Sequence, residues 1–370
     1  MAIETYEERY AKLLVDYCVE LTPGDKLYVS STTLAEPLVK EVHRIALQRG
    51  AHVEVNLAWD GMGRTFLAEA NDDQLAYISA QQRIAFETFD AFLAIRAPFN
   101  LMDMQDASAE QKKKRSAALK ELNATYFRRT GSRELRRNLC QYPTQAAAQN
   151  AGMSLDDYRA FIFDACKLNE PEPMQAWLDV RKNQQAVTDR LNQAKQMHYL
   201  GENIDLTFSV EGRTWINSDG QTNMPSGEVY TSPVEDSVNG HIHFDYPAVY
   251  QGHEVEGVTL YVERGEVVNW EAKRGKDFLD QIFSLPGTRR FGEAAIGTNY
   301  SIDRFTKNIL FDEKIGGTVH LAIGQSYEQA GGKNKSSVHW DMIAGMRNGG
   351  EIKADGESIY RDGHFLDYTL

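Results

Sequence analysis

At 370 residues, with 42% apolar and 25% charged side chains, the chain has the composition of an ordinary globular protein and enough length for two domains. Forty basic residues against fifty-three acidic ones leave a formal net charge of -13, which repels nucleic-acid phosphates and anionic lipid and argues against both as partners. Cys18, Cys140 and Cys166 lie far apart and indicate no disulfide framework, Met1 to Tyr10 is polar, and no run of about 18 apolar residues occurs; together these fit a soluble, unexported protein of the reducing cytoplasm.

In chain order, an amphipathic helix is expected from about Tyr6 to Glu20, ended by Pro23 and Gly24, and a strand follows over Lys26 to Ser30. Thr33-Leu34-Ala35-Glu36 has the spacing of a capping box, after which Leu38, Val39, Val42, Ile45 and Ala46 mark one face of a helix ending at Gly50. Strands at His52 to Leu57 and Ala91 to Ile95 complete a strand, helix, strand alternation that predicts parallel βαβ units. The basic run Lys112, Lys113, Lys114 and Arg115 reads as a solvated helix face.

From a second capping signal at Ser154 and Asp157 the pattern is helical to about Tyr199, with Trp177, Val180, Val187 and Leu191 as the buried positions. Beyond Gly201 the texture changes to short alternating segments such as Leu206, Phe208, Val210 and Val258, Leu260, Tyr261, Val262, separated by Gly, Asn and Asp turns. The expected fold is therefore an α/β N-terminal domain with a parallel sheet, residues 1–200 including bridging helices, and a β-rich α+β C-terminal domain, residues 201–370.

No HExxH helix, GxSxG elbow or phosphate loop is present. Gly331-Gly332-Lys333 lacks the residues flanking a phosphate loop, and Gly61-Met62-Gly63 is followed by Phe66 where a dinucleotide fingerprint needs glycine. Chemistry instead concentrates between Glu228 and Asp341. In Gly317-Thr318-Val319-His320-Leu321-Ala322-Ile323-Gly324, strand alternation puts His320 with Thr318 and Ala322, off the apolar face, where small neighbours leave room beside the imidazole for a metal ion. A histidine bonded to a backbone carbonyl is the alternative. Ser337-Val338-His339-Trp340-Asp341 sets His339 and Asp341 two apart, so that on a strand both can reach one ion, or simply each other.

Glu228, after Pro225-Ser226-Gly227, and Glu293, after Gly292, are either turn and surface carboxylates or the negative charge that a pair of divalent cations requires. Tyr327 is a candidate hydrogen-bond donor to an oxyanion, or packing material. His241, His243 and His253 crowd the same region as candidates for hydrogen bonding to metal ligands.

Taken in order, Asn223-Met224-Pro225-Ser226-Gly227-Glu228-Val229, Gly292-Glu293, His320-Leu321-Ala322-Ile323-Gly324 and Ser337-Val338-His339-Trp340-Asp341 resemble the segments N-x-P-x-G-E-V, G-E, H-x-A-x-G and S-x-H-x-D of the thermophilic-type metallo-aminopeptidase family, the group of aminopeptidases T and S. The resemblance covers nearly the whole chain. It implies Glu228, Glu293, His320, His339 and Asp341 as metal ligands, Tyr327 as an active-site tyrosine, co-catalytic zinc, cobalt or manganese, peptide substrates trimmed from the N-terminus, and a homodimer. On mechanistic grounds Glu228 is a candidate ligand or general base. Familiar members carry D-E-N with the glutamate five residues before the histidine, whereas here Asp312-Glu313-Lys314 puts Glu313 seven before His320, which leaves the role of Glu313 open. Two other readings compete: a non-haem iron aromatic-ring dioxygenase using His320, His339 and Asp341, and a non-catalytic protein closing on a small molecule.

Overall fold

The computed structural model describes residues 4–368. The chain divides into two compact units, one formed by residues up to Met174 together with Gly220–Pro225, the other by Gln175–Asp219 and Ser226 onward. The helix Pro173–Leu191 thus falls almost wholly in the second unit, ahead of the change of texture at Gly201.

Among the described residues, the first unit holds a five-stranded sheet in the order His52–Ala58, Lys26–Thr32, Ala91–Arg96, Arg136–Gln141, Asn223–Met224, with every pairing parallel. Parallel neighbours need crossovers, and the helix Glu36–Gln48 supplies the first, burying Leu38, Val39, Val42, Ile45 and Ala46 as the 3.6-residue period requires. The expected cap at Thr33 does not form. The strand runs on to Thr32, whose hydroxyl accepts from the Leu34 amide at 3.3 Å and donates to the Ala97 carbonyl, and a 3₁₀ turn over Thr33–Ala35 then leads into the helix. The N-terminal helix is regular only over Tyr6–Lys12; Leu13–Cys18 widens into π-helical geometry, closed by the Val19 amide on the Leu14 carbonyl.

Two further expectations are corrected. The basic run sits on the helix Ala109–Gly131, but Arg115 is no solvated residue: it donates to the carbonyls of Leu75 and Tyr77 and stacks over Phe66, while Lys114 pairs with Asp72 and Glu110. The helical stretch after Ser154 breaks into Leu155–Ala165 and Pro173–Leu191 and ends before Tyr199, which lies in the strand Gln196–Gly201. Cys18, Cys140 and Cys166 are all buried, and the Cys166 thiol donates to Tyr10 Oη. No helix among the described residues is long and apolar enough to cross a membrane.

Among the described residues, the second unit holds two large antiparallel sheets and a two-stranded one, Ala248–Tyr250 with His253–Val255. Eight strands, from Glu266–Glu271 at one edge through Ile204–Ser209 and Gln196–Gly201 to His364–Phe365 at the other, form the larger. The smaller runs His339–Gly345, Thr318–Gly324, Phe291–Gly297, Glu228–Thr231, Ile216–Ser218. One apolar core joins them: Leu206, Phe208, Ile242 and Leu260 from the larger sheet pack in the same cluster as Val229, Ile296, Leu321, Ile323, Trp340 and Met342 from the smaller. Alternation along each strand then sends every second side chain of the smaller sheet to its other face.

Candidate functional site

That other face gathers the candidate ligand side chains. Directly opposed residues of antiparallel strands share a face, and the register opposes Glu293 to Ala322, Ala322 to Asp341, Ala295 to both His320 and Tyr230, Gly324 to His339, and Gly297 to Glu228. Glu228, Glu293, His320, His339 and Asp341 therefore project together from four neighbouring strands. The positions between them are Ala295, Ala322, Gly297 and Gly324, which leave space where larger side chains would fill it. A register shift between Phe291 and Glu293, where Gly292 lies against the Gln325 carbonyl, sets the facing of Glu293.

Glu228 is 6%, Glu293 4% and His320 1% exposed, so neither glutamate is the surface group its sequence context also allowed. His320 Nε2 lies 3.4 Å from Glu228 Oε2 and 3.7 Å from Glu293 Oε1; His339 Nε2 lies 3.1 Å from Glu293 Oε2 and 3.6 Å from Asp341 Oδ1. Tyr327 Oη is 3.3 Å from His339 Nε2, and its ring packs against Tyr230 and His339. Glu313 and Lys314, at the end of the short helix Ile309–Asp312, also reach this cluster. Lys314 is fully buried, bonded to the Glu313 carboxylate, with Nζ 3.6 Å from Glu228 Oε1.

Two backbone devices hold Glu228. Gly227, at φ +116°, packs so tightly on Asn299 that an added Cβ would stand 2.7 Å from the Asn299 Cβ, and the Asn299 amide donates to the Ser226 carbonyl. Behind the strand, the buried side chain of Gln184 donates to the carbonyls of Ser218 and Glu228 and accepts from Thr298 Oγ1. Neither Gln184 nor Asn299 was legible as a site residue; both are remote in sequence, and an amide has no motif. The histidines His241, His243 and His253 lie elsewhere: His241 stacks on Tyr261, His243 bonds Thr259 and His253 stacks on Phe278.

The electrostatics are those of a cation site. Burial pulls the imidazoles down, but the surrounding carboxylates outweigh it: Glu293, Glu228 and Asp341 push His320 up to about 9, and Asp341 with Glu293 push His339 up to about 12. Burial would raise Asp341, yet His339, His320 and Lys314 hold it down at about 2. Glu313 goes the other way, raised to about 7 by burial against the opposing charge of Lys314.

The donor set fits a divalent cation. Among the described residues, two groups bring their ligand atoms within 4.8 Å of one another, Glu228, Glu293, His320 and Glu293, His339, Asp341, with Glu293 common to both. Asp341 Oδ1 is a buried oxygen that accepts no hydrogen bond. His339 donates Nδ1–H to the Gln325 carbonyl at 2.7 Å, which leaves Nε2 as the ring's ligating nitrogen. His320 and His339 fall in different groups, so the three-residue set of an iron dioxygenase is not assembled on its own.

Comparison with known proteins decides the family, because a model described as thermophilic metalloprotease (M29) matches residues 4–365. The chain belongs to that family. M29 relatives include Aminopeptidase 2 of Geobacillus stearothermophilus, 27% identical with 97% of each chain covered, and Aminopeptidase PepS of Streptococcus thermophilus, 27% identical over 96% of this chain and 94% of the relative. The fold matches the solved structure of AmpT from Thermus thermophilus with a TM-score of 0.84 at 22% identity, covering 98% of this chain and 99% of that one. The chain is thus an enzyme of a metallopeptidase family, with the α/β and β-rich architecture expected from its sequence.

Two substitutions test the construction of the site. Ala322→Leu fills the gap between Glu293 and Asp341, and overpacking of this kind costs about 1–3 kcal/mol; the affinity for zinc, titrated by calorimetry, should fall by about tenfold or more while circular dichroism stays native. Gly227→Ala forces a side chain onto Asn299 at positive φ, a strain of about 1–3 kcal/mol; it should lower the thermal midpoint and the zinc affinity together, and unchanged values of both would show that the close approach is not needed.

Proposed function

We propose that the chain is a metal-dependent aminopeptidase that removes N-terminal residues from peptides through a water activated by two divalent cations, zinc, cobalt or manganese. The observation that carries this reading is the pair of three-residue ligand groups sharing Glu293 on one sheet face. Two dications about 3.5–4 Å apart require a carboxylate between them, and Glu293 alone offers an oxygen to each group. When bound, the ions polarise the scissile carbonyl and bring the pKa of a water near neutrality.

The chain's own residues do the rest. Glu228 and His320 hold one side, His339 and Asp341 the other, and the sheet fixes their spacing before substrate arrives. Glu228 serves as ligand or as general base. Tyr327 supplies a hydroxyl proton: burial first, then the charges of Glu293 and Asp341, keep its phenol well above the ordinary value, so it remains a donor to a developing oxyanion. An acidic surround also favours the free α-ammonium of a peptide, which restricts cleavage to the first residue. The enzyme is further proposed to be a homodimer acting in the cytoplasm, to be measured by light scattering and by cell fractionation.

Elemental analysis should find two zinc, cobalt or manganese ions per chain, and a panel of aminoacyl anilides should be cleaved. About one iron per chain with oxygen uptake on an aromatic substrate would favour the dioxygenase, and ligand binding untouched by a chelator without any turnover would favour a binding protein. Glu293→Gln should abolish hydrolysis with the fold retained; full activity in that variant would sink the assignment. Tyr327→Phe should lower kcat by about 10²–10³ with little change in metal content. Stripping the metal with a chelator should stop turnover and lower the thermal midpoint, since an ion at 100 times its Kd adds about 2.7 kcal/mol to the folded state.

A further inference from the structure

Lys314 is an ammonium buried at the heart of a cluster of carboxylates, and nothing in the reading above uses it. It is 0% exposed. Taking a charged amine out of water costs several kcal/mol unless partners replace the lost solvent. Its partners are the Glu313 carboxylate, to which it is hydrogen-bonded, and Glu228 Oε1 at 3.6 Å.

The two oxygens of Glu228 are thereby divided. Oε1 faces Lys314, whereas Oε2 faces His320 Nε2 at 3.4 Å and belongs to the ligand group with Glu293. Glu313, by contrast, enters neither ligand group, although it is largely buried and close enough to feel the charges of Glu228, Asp341 and His320.

Backbone geometry makes this arrangement rigid. The Lys314 amide donates to the Phe311 carbonyl, its carbonyl accepts from the Asn299 amide at 3.0 Å, and the Gly316 amide returns to the Asn299 carbonyl at 2.9 Å. The Asn299 side chain meanwhile holds the Ser226 carbonyl, two residues ahead of Glu228. One asparagine thus clamps the segment carrying Lys314 to the segment carrying Glu228. The lysine is built into the site.

We propose that Lys314 is a positioning residue of the metal centre: its ammonium withholds Glu313 from the ligand set and holds Glu228 by Oε1, so that only Oε2 binds an ion. The proposal rests on the metallopeptidase reading above. It explains how Glu313, displaced by two residues from the spacing of the resembling family, is accommodated in a buried site without becoming a ligand. A protonated amine cannot itself ligate, so Lys314 acts on the centre through its charge on the neighbouring carboxylates, most directly the two that it touches.

Cobalt(II) tests this, because its visible bands weaken as coordination number rises. Apo protein of the wild type, Glu313→Gln, Lys314→Met and the double variant is titrated with cobalt chloride while absorption and bound equivalents are recorded. Glu313→Gln should take up the wild-type number of equivalents with an unchanged spectrum; loss of an equivalent, or an altered spectrum, would mean that Glu313 ligates and would overturn the proposal. Lys314→Met should lose band intensity as Glu313 and the second oxygen of Glu228 enter the coordination sphere, and intensity should partly return in the double variant. An unchanged spectrum in folded Lys314→Met also defeats the idea. Should Lys314→Met not fold, the isosteric Glu313→Gln decides alone. Wild-type protein that takes up no cobalt defeats the metallopeptidase reading and this one with it. Uptake with normal wild-type cleavage of aminoacyl anilides, joined to a changed Glu313→Gln spectrum, defeats only the role of Lys314.

Discussion

Everything at the site depends on the two-sidedness of one antiparallel sheet. Because side chains alternate, the strands that bury Val319, Leu321 and Ile323 in the core must present Thr318, His320 and Ala322 on the reverse, and the neighbouring strands obey the same rule. Register does the remainder. With Ala322 opposed to Glu293 on one side and to Asp341 on the other, two carboxylates are brought to either side of a methyl group, and a slip of one residue in either pairing would send one of them into the core. The apolar face therefore fixes the polar one: the free energy that holds the register comes from burying Leu321, Ile323, Trp340 and Met342 on the side of the sheet turned away from the carboxylates.

Such a sheet must carry an electrostatic load. Glu228, Glu293 and Asp341 are brought together in surroundings where an unpaired carboxylate is costly, and their negative charge is what raises the affinity of His320 and His339 for protons. A cation that displaces those protons inherits the same attraction. Carboxylate proximity would in this way favour an ion bound there, and apolar packing on the opposite face offsets the cost of bringing the carboxylates together. Buried ion pairs are poor sources of stability but good at enforcing one arrangement, and Lys314 between Glu228 and Glu313 is of that kind.

Much of this was legible in the sequence, and what was not has a common cause. Periods of 3.6 and 2 residues are local, so the buried face of Glu36–Gln48, the parallel units of the first half and the facing of His320, His339 and Asp341 could be read from single segments. Boundaries failed where tertiary contacts overrode local preference, as at Thr33, where strand pairing extends through Thr32, and at Gln196–Gly201, which is recruited as a strand by Ile204–Ser209 on one side and Glu351–Ala354 on the other. Glu228 and Glu293 could not be told from turn or surface carboxylates because their burial is set by pairing between strands remote in sequence, Glu228–Thr231 with Phe291–Gly297 and that strand with Thr318–Gly324. His241, His243 and His253 were near the site in sequence but belong to the larger sheet or the segments beside it. Lys314 gave no signal, since a lysine beside a glutamate ordinarily marks a solvated turn.

The sharing of Glu293 bears most directly on what kind of chemistry the face can support. A one-metal oxygenase needs two histidines and a carboxylate converging on a single point, with open positions for oxygen and substrate. Here His320 and His339 each have their own carboxylate, Glu228 and Asp341, and Glu293 stands between, one oxygen toward each imidazole. That is a symmetric arrangement about a central carboxylate, and it is the ground on which two ions are proposed in place of one. It suits a reaction in which an attacking and a departing group must both be stabilised, as in amide hydrolysis. The asymmetry comes from outside the pair: the Tyr327 hydroxyl lies against His339 Nε2, whereas the Lys314 ammonium lies against Glu228, so the two halves of an otherwise matched cluster have different neighbours.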